Sequence, residues 1–311
     1  MKVGVIGVGY WGKKHVEEYH NLGHDVVVFD PAKDNVDFCR EKFNAIPVTN
    51  HIEILQDKEI QSVSICTPNS THHSLVVEAL NAGKNILVEK PISINMRDCE
   101  EIIRLAESKN LILLVGHIFR FNNAIKKARE LVRSDDFGKI YTVNLKWTNL
   151  EPIFLDRDIL FDLGVHPIDI VDNILEGYVT DIFCMAEGFR QKNYEYATIN
   201  YKLISPLNET PIIVNVELSW LDPIKKRTLT LVGSRNTLLV DCFLQKIQLI
   251  DNTSKKLKNV GIVANNTIRD ELEFFTNSVR QKKQIEHPMP TGDIAKRVLE
   301  VIEKAKMSIH D

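Results

Sequence analysis

A chain of 311 residues, 44% hydrophobic and 26% charged, is long enough for two domains with apolar cores. Its 39 basic and 42 acidic residues are scattered to a net charge of −3, so no patch of one sign points to a nucleic-acid partner or a membrane surface. No uncharged apolar run nears the ~20 residues of a membrane helix. The opening "MKVGVIGVGYWG" lacks the apolar core of a signal peptide, and cysteines at 39, 66, 99, 184 and 242 fit reduced thiols in a cytoplasmic protein.

In the first 120 residues, short apolar runs alternate with helix-like stretches. "KVGVIG", "DVVVFD", "SVSICT", "NILVEK" and "LILLVGH" read as strands, with a weaker one at "AIPV". Their nearly continuous apolar character predicts a parallel sheet covered on both faces. Between them, "SLVVEALNAG" and "NMRDCEEIIRLAESKN" read as helices, the second capped by Asn95 with Asp98 in its first turn. Repeated strand–helix units predict an α/β, doubly wound Rossmann domain over residues 1–121.

Beyond residue 122 the texture changes. The helix "NNAIKKARELVRS" precedes "KIYTVNLKW", the stretch "DLGVHPID" with its helix, and the alternating strands "ATINYKL", "PIIVNVELSW", "RTLTLVG", "TLLVD" and "KIQLID". In "IIVNVELSW" the apolar and polar side chains fall on opposite faces, which predicts an open, mostly antiparallel sheet in an α+β domain over 122–311. "GSRNT" reads as a hairpin turn. Helices over 266–283 and 292–308 close the chain, the last packing back on the first domain. The open sheet face is read as the surface of a homodimer or homotetramer, with a solvated face the alternative.

Gly7, Gly9 and Gly12 form G-x-G-x-x-G between the first strand and a helix, and Asp30 ends the second strand eighteen residues later. The glycines permit a tight turn and close approach of a pyrophosphate to the helix N-terminus, while Asp30 accepts from ribose hydroxyls. A carboxylate there repels a 2′-phosphate, and "PAKD" supplies Lys33 but no arginine, so NAD is favoured over NADP. Tyr10 and Trp11 either flank the cofactor or pack under the turn.

The stretch "DLGVHPID" sets Asp162, His166 and Asp169 into an apolar passage at helical spacing. A metal site, an acid–base pair and a hydrogen-bonded helix start are all compatible with it. The metal reading ranks lowest, because no second histidine or cysteine nearby completes a ligand set.

"CTPNSTHHSLVVEALNAGKNILVEKP" (66–91), "GHIFRFNNAI" (116–125) and "DLGVHPID" resemble the Gfo/Idh/MocA family of oxidoreductases. With the glycine loop the resemblance spans roughly residues 1–175; the later sheet agrees in texture only. It implies a Rossmann domain carrying NAD(P) and a sugar, cyclitol or sugar nucleotide as substrate, held between the two domains. It also implies that Lys90 of "EKP" converges with Asp162 and His166 on a substrate hydroxyl. Thr67, Pro68, Asn69 and His72, with Glu89 and Lys90, fall on the cofactor side; Arg120 of "GHIFRF" is a substrate contact or an ion pair.

Oxidising a secondary alcohol takes a hydride from carbon and a proton from oxygen. Histidine, with a reference pKa near ~6.5, suits the proton, and a lysine can stabilise alkoxide character or act as base. Each residue has a plainer alternative: a strand-end lysine, a satisfied core histidine, an N-cap aspartate. The leading expectation is an NAD-dependent dehydrogenase of sugar-like hydroxyls. A UDP-sugar 3-dehydrogenase and a non-catalytic NAD(H)-binding sensor or scaffold are the alternatives. For the former, a diphosphate needs a basic pocket, and nothing in the sequence places Lys225, Lys226 or Arg227 in one.

Overall fold

The computed structural model describes residues 1–154 and 157–309. It divides into two units: residues 1–118 with 266–297, and residues 119–265 with 298 onward. The second stretch expected to run unbroken from 122 therefore returns 266–297 to the first unit, and the last helix begins in one unit and ends in the other.

In the first unit six short strands pair in parallel. They are β1 (Lys2–Ile6), β2 (Asp25–Phe29), β3 (Ile46–Pro47), β4 (Ile60–Ile65), β5 (Asn85–Val88) and β6 (Leu113–Val115), in the order β3-β2-β1-β4-β5-β6. The order reverses between β1 and β4, so the loops after these two strands flank the switch point where ligands bind in doubly wound sheets. The helices are α1 (Tyr10–Asn21), α2 (Lys33–Phe43), α3 (His51–Gln56), α4 (His72–Asn81) and α5 (Met96–Ser108). Asn95 caps α5 as its sequence predicts, its Oδ1 accepting from Asp98 N at 2.9 Å, a bond worth about 1 kcal/mol. Val3, Val5, Val26 and Val28 share one core with Val16 and Tyr19 of α1 and with Leu272, Phe275 and Val279 from the returning segment.

The second unit holds α6 (Asn123–Val132), β7 (Ile140–Leu150), α7 (Val165–Leu175), β8 (Tyr178–Glu187), β9 (Tyr196–Ile204), β10 (Ile212–Ser219), β11 (Leu221–Gly233), β12 (Asn236–Asp241), β13 (Lys246–Asp251) and β14 (Leu257–Val260). The returning segment adds α8 (Thr267–Gln281), and α9 (Gly292–Met307) ends the chain's regular structure. The eight strands form one sheet in the order β14-β13-β12-β11-β7-β10-β9-β8. Every pairing is antiparallel except β7 with β10, which run parallel, so the sheet is mostly antiparallel as expected, and β10 is antiparallel on its β9 edge only. Val143, Leu145 and Trp147 of β7 and Val214, Val216 and Leu218 of β10 are buried on one face. On the other face, register neighbours pair as Asn215 Nδ2 to Asn144 Oδ1 at 2.9 Å and Lys146 to Glu217 at 2.7 Å. Among the described residues no helix is long and apolar enough to cross a membrane.

The connection from β8 to β9 steadies the segment ahead of α7. Asn193 Nδ2 donates to the Phe154 carbonyl at 3.2 Å, and Ile159 N to the Tyr194 carbonyl at 3.2 Å. Glu195 holds this connection, its buried carboxylate accepting from Phe189 N at 3.0 Å, Arg190 N at 2.6 Å and Arg190 Nε at 2.7 Å. Glu195→Ala should remove about 2 kcal/mol of stability, read as a lower urea midpoint by tryptophan fluorescence. An unchanged midpoint would show that these bonds contribute nothing.

Candidate active site

The glycine loop has the geometry its spacing predicts. Gly7 sits at φ +86°, where a Cβ would press on the Cys66 carbonyl, and a Cβ on Gly12 would strike the carbonyl of Gly7. A Cβ on Gly9 would meet nothing, so the chain leaves open space there. Gly9 precedes α1, which has no side-chain cap and no acidic residue in its first turn. These uncapped N–H groups, with the helix dipole behind them, suit a pyrophosphate. Asp30 turns toward the loop, Oδ2 accepting from Val8 N at 2.7 Å and Oδ1 from Ala32 N at 2.8 Å. A carboxylate has about four acceptor sites, so acceptors remain for a ribose diol. The residues present fit a dinucleotide. Tyr10 is exposed rather than packed under the turn; its ring meets Trp11 edge-on at 5.7 Å, with Lys14 over both.

Across the switch point, the turns after β4 and β5 are tied to each other. His72 is fully buried, with Nδ1 2.7 Å from the Pro91 carbonyl and Nε2 2.9 Å from the Thr67 carbonyl. Both ring nitrogens lie against main-chain carbonyls, one of which accepts from the N–H of the neutral ring, so His72 packs the Thr67–Pro68–Asn69 turn against the cis Lys90–Pro91 peptide instead of facing a cofactor as expected. Burial pushes its pKa down, against the pull of the two carbonyls. Lys90 is itself buried at 9% exposure.

Glu89 has a partner that the sequence reading missed. His15 Nε2 lies 3.1 Å from Glu89 Oε1, and His15 Nδ1 lies 3.5 Å from Cys66 Sγ. Glu89 Oε2 accepts from Lys90 N at 3.3 Å. Burial alone would raise the Glu89 carboxyl, but the His15 bond and the charges of His15, Lys90 and His72 hold it below the usual range. Burial and the Glu89 and Glu271 charges push the Cys66 thiol well up, so it stays an S–H. The available signal was positional: His15 follows Gly12 by three on α1, the same inward face as Gly12, Val16 and Tyr19.

In the second unit, "DLGVHPID" begins inside a helix that is already running. Asp158 starts it, with Oδ1 accepting from Leu160 N at 3.0 Å and Phe161 N at 3.3 Å. Asp162 N donates to the Asp158 carbonyl at 3.2 Å, so the N-cap role considered for Asp162 belongs to Asp158. Leu160–Gly164 is a π-helical turn that feeds α7, a widening often found at functional sites. Gly164 lets it seat closely, since a Cβ there would lie 3.1 Å from Ile302 and 3.2 Å from Leu218. His166 is buried against Phe119, edge-on at 5.4 Å, and Trp147 at 6.3 Å.

Arg227 joins this group, which its sequence context did not reveal. Its guanidinium lies 5.4 Å from the Trp147 ring and donates to Asn149 Oδ1 at 2.6 Å and the Thr148 carbonyl at 3.0 Å. Burial brings its pKa down to about 10, while the Asp162 and Glu151 charges pull it back up. Its neighbours look elsewhere: Lys225 lies over Phe243 and Lys226 pairs with Asp222 at 3.3 Å.

Asp169 has a defined partner. Arg120 Nε reaches Asp169 Oδ1 at 2.6 Å and Arg120 Nη2 reaches Asp172 Oδ2 at 2.6 Å, with Arg120 and Asp169 almost fully buried. Arg120 thus takes the ion-pair alternative read for it, and Asp169 is one of the two carboxylates that hold it. Removing Asp169 takes one of two carboxylates from the buried Arg120, leaving Asp172 to compensate the charge in part. Asp169→Ala should therefore cost about 3 kcal/mol, measured as a drop in thermal midpoint; a midpoint equal to that of the parent would show the pair to be neutral.

Each unit matches a known family description. Residues 1–117 match the model described as "Oxidoreductase family, NAD-binding Rossmann fold", and residues 125–239 match the GFO/IDH/MocA C-terminal domain. The chain belongs to the Gfo/Idh/MocA oxidoreductase family. It is 32% identical over 173 residues to UDP-N-acetylglucosamine 3-dehydrogenase of Acidithiobacillus ferrooxidans, covering 55% of this chain and 53% of that protein. It is 27% identical over 191 residues to myo-inositol 2-dehydrogenase of Thermotoga maritima, covering 59% and 57%. The chain spans about half the length of the curated relatives it matches. In fold, the structure of the Acidithiobacillus enzyme superposes with a TM-score of 0.86 at 22% identity, over 99% of this chain and 97% of that one. Levoglucosan dehydrogenase with NADH and levoglucosan gives 0.86 at 15% identity, over 99% and 96%.

Proposed function

We propose that this protein is an NAD-dependent oxidoreductase that moves a hydride between nicotinamide and a secondary hydroxyl of a sugar, cyclitol or sugar nucleotide. The observation that carries the reading is the uncapped N-terminus of α1 behind the open glycine loop, with Asp30 at the end of β2. Relatives named for UDP-N-acetylglucosamine 3- and myo-inositol 2-dehydrogenation support the substrate class. When bound, NAD supplies the hydride acceptor. Lys90 donates to the reacting oxygen, His166 gives or takes its proton, and Asp162 orients His166 or binds a neighbouring hydroxyl. His15, Glu89 and His72 hold the Lys90 turn; Arg120 and Asp169 hold the helix that carries His166.

The same reading has the protein act in the cytoplasm as a homodimer or homotetramer through the open sheet face. Exposed Ile213 on β10 supports that surface, and five free cysteines suit a reducing compartment.

A redox screen of cyclitols, aldoses and UDP-sugars, read by NADH absorbance, identifies the substrate. On that substrate Lys90→Met and His166→Ala should each lower kcat by about 10²–10⁴-fold, with NADH binding retained. Full activity in both variants sinks the assignment of these residues, whereas a parent that binds NADH and turns over none of these compounds favours the sensor reading. Asp30→Ala should weaken NADH binding relative to NADPH; an NADP preference in the unaltered protein would refute the role given to Asp30.

A further inference from the structure

Asp30 is not the only charged group at the adenosine end of the glycine loop. Lys13 follows Gly12 directly and sends its ammonium across to α2, where Asn35 Oδ1 accepts from it at 2.7 Å. The Phe38 ring lies 4.9 Å beneath the same ammonium. Asn35 Nδ2 in turn lies 3.4 Å from Asp30 Oδ1. A single carboxamide therefore separates the carboxylate from a positive charge held in place on two sides. The charge also reaches inward, where it lowers the pKa of the buried Cys39 thiol against the larger effect of burial.

The two groups act oppositely on the 2′ position of an adenosine ribose. A carboxylate accepts from a 2′-hydroxyl and repels a 2′-phosphate. An ammonium carries three donors, one of which goes to Asn35, and attracts a phosphate as a point charge. A lysine alone on a solvated surface would be too mobile to matter much; here an amide and a ring hold it one side chain from Asp30. Lys33 and Asp34, side by side in the first turn of α2, are both exposed and offset each other, so the balance at this end is left to Asp30 and Lys13.

We propose that Lys13, positioned by Asn35 and Phe38, is a second determinant of cofactor choice that gives the 2′-phosphate of NADP(H) a cationic partner and narrows the preference for NAD(H) set by Asp30. This rests on the dinucleotide-binding reading above. The unaltered protein then binds both dinucleotides, NADH more tightly.

The test is direct binding of NADH and of NADPH to the full chain, each titrated by quenching of tryptophan fluorescence at low ionic strength. Lys13→Met should raise the ratio of the NADPH to the NADH dissociation constant by about fivefold, the scale of one unit-charge pair near 4 Å in water. Lys13→Arg, which keeps the charge, should leave the ratio within about twofold of the parent by the same estimate. A ratio unmoved or lowered by Lys13→Met overturns the proposal. So does a parent protein that binds NADH and shows no NADPH binding at all. If neither dinucleotide binds the parent, the cofactor reading itself fails, and the role of Lys13 with it.

Discussion

The carbonyl of Gly7 stands where a side chain on residue 12 would begin, and this closeness directs α1. With no Cβ between them, the end of β1 and the start of the helix come together beside Cys66 at the end of β4. The uncapped first turn is thereby presented at the switch point of the sheet, and the next turn carries His15 inward to Glu89. One steric allowance thus sets both an anion-binding helix end and a buried polar contact to the turn bearing Lys90. Larger residues at 7 or 12 would disturb both, because the same helix serves the two tasks.

The second unit treats its polar residues differently. Along one short segment, Asp158 starts the helix, Asp162 sits in the widened turn, His166 packs among aromatic rings, and Asp169 closes an ion pair with Arg120. Asp158 and Asp169 fix the helix that presents Asp162 and His166, the pair proposed to carry the chemistry. Burying His166 against Phe119 and Trp147 costs solvation, but it restricts the ring far more than an exposed position would.

Local order was legible in the sequence wherever one residue's physics decided it. The Gly7, Gly9 and Gly12 turn, the Asn95 cap and the inward alternation of β10 are of this kind. Contacts set by tertiary approach were not. Alternation reads the same whether a neighbour runs parallel or antiparallel, so the β7–β10 pairing was hidden. β8 was missed because its pattern breaks at a bulge between Thr180 and Phe183, with Asp181 at φ +47°. Arg120 finding Asp169, His72 closing on two carbonyls and Arg227 lying beside Trp147 each join residues that only the fold brings together. The chemistry of each group was visible, and its partner was not.

The return of residues 266–297 to the first unit has a consequence for how the chain is made. Asn266 Nδ2 bonds Glu18 at 2.8 Å across 248 positions, and Leu272, Phe275 and Val279 complete the core around Val16 and Tyr19. A ribosome that has released residues 1–118 has therefore not yet released what covers α1. The nucleotide-binding half, first in the sequence, is not complete until residue 297, and the face of α1 that α8 covers must wait out the synthesis of the entire second sheet. A fragment cut after residue 121 would inherit that unfinished surface permanently.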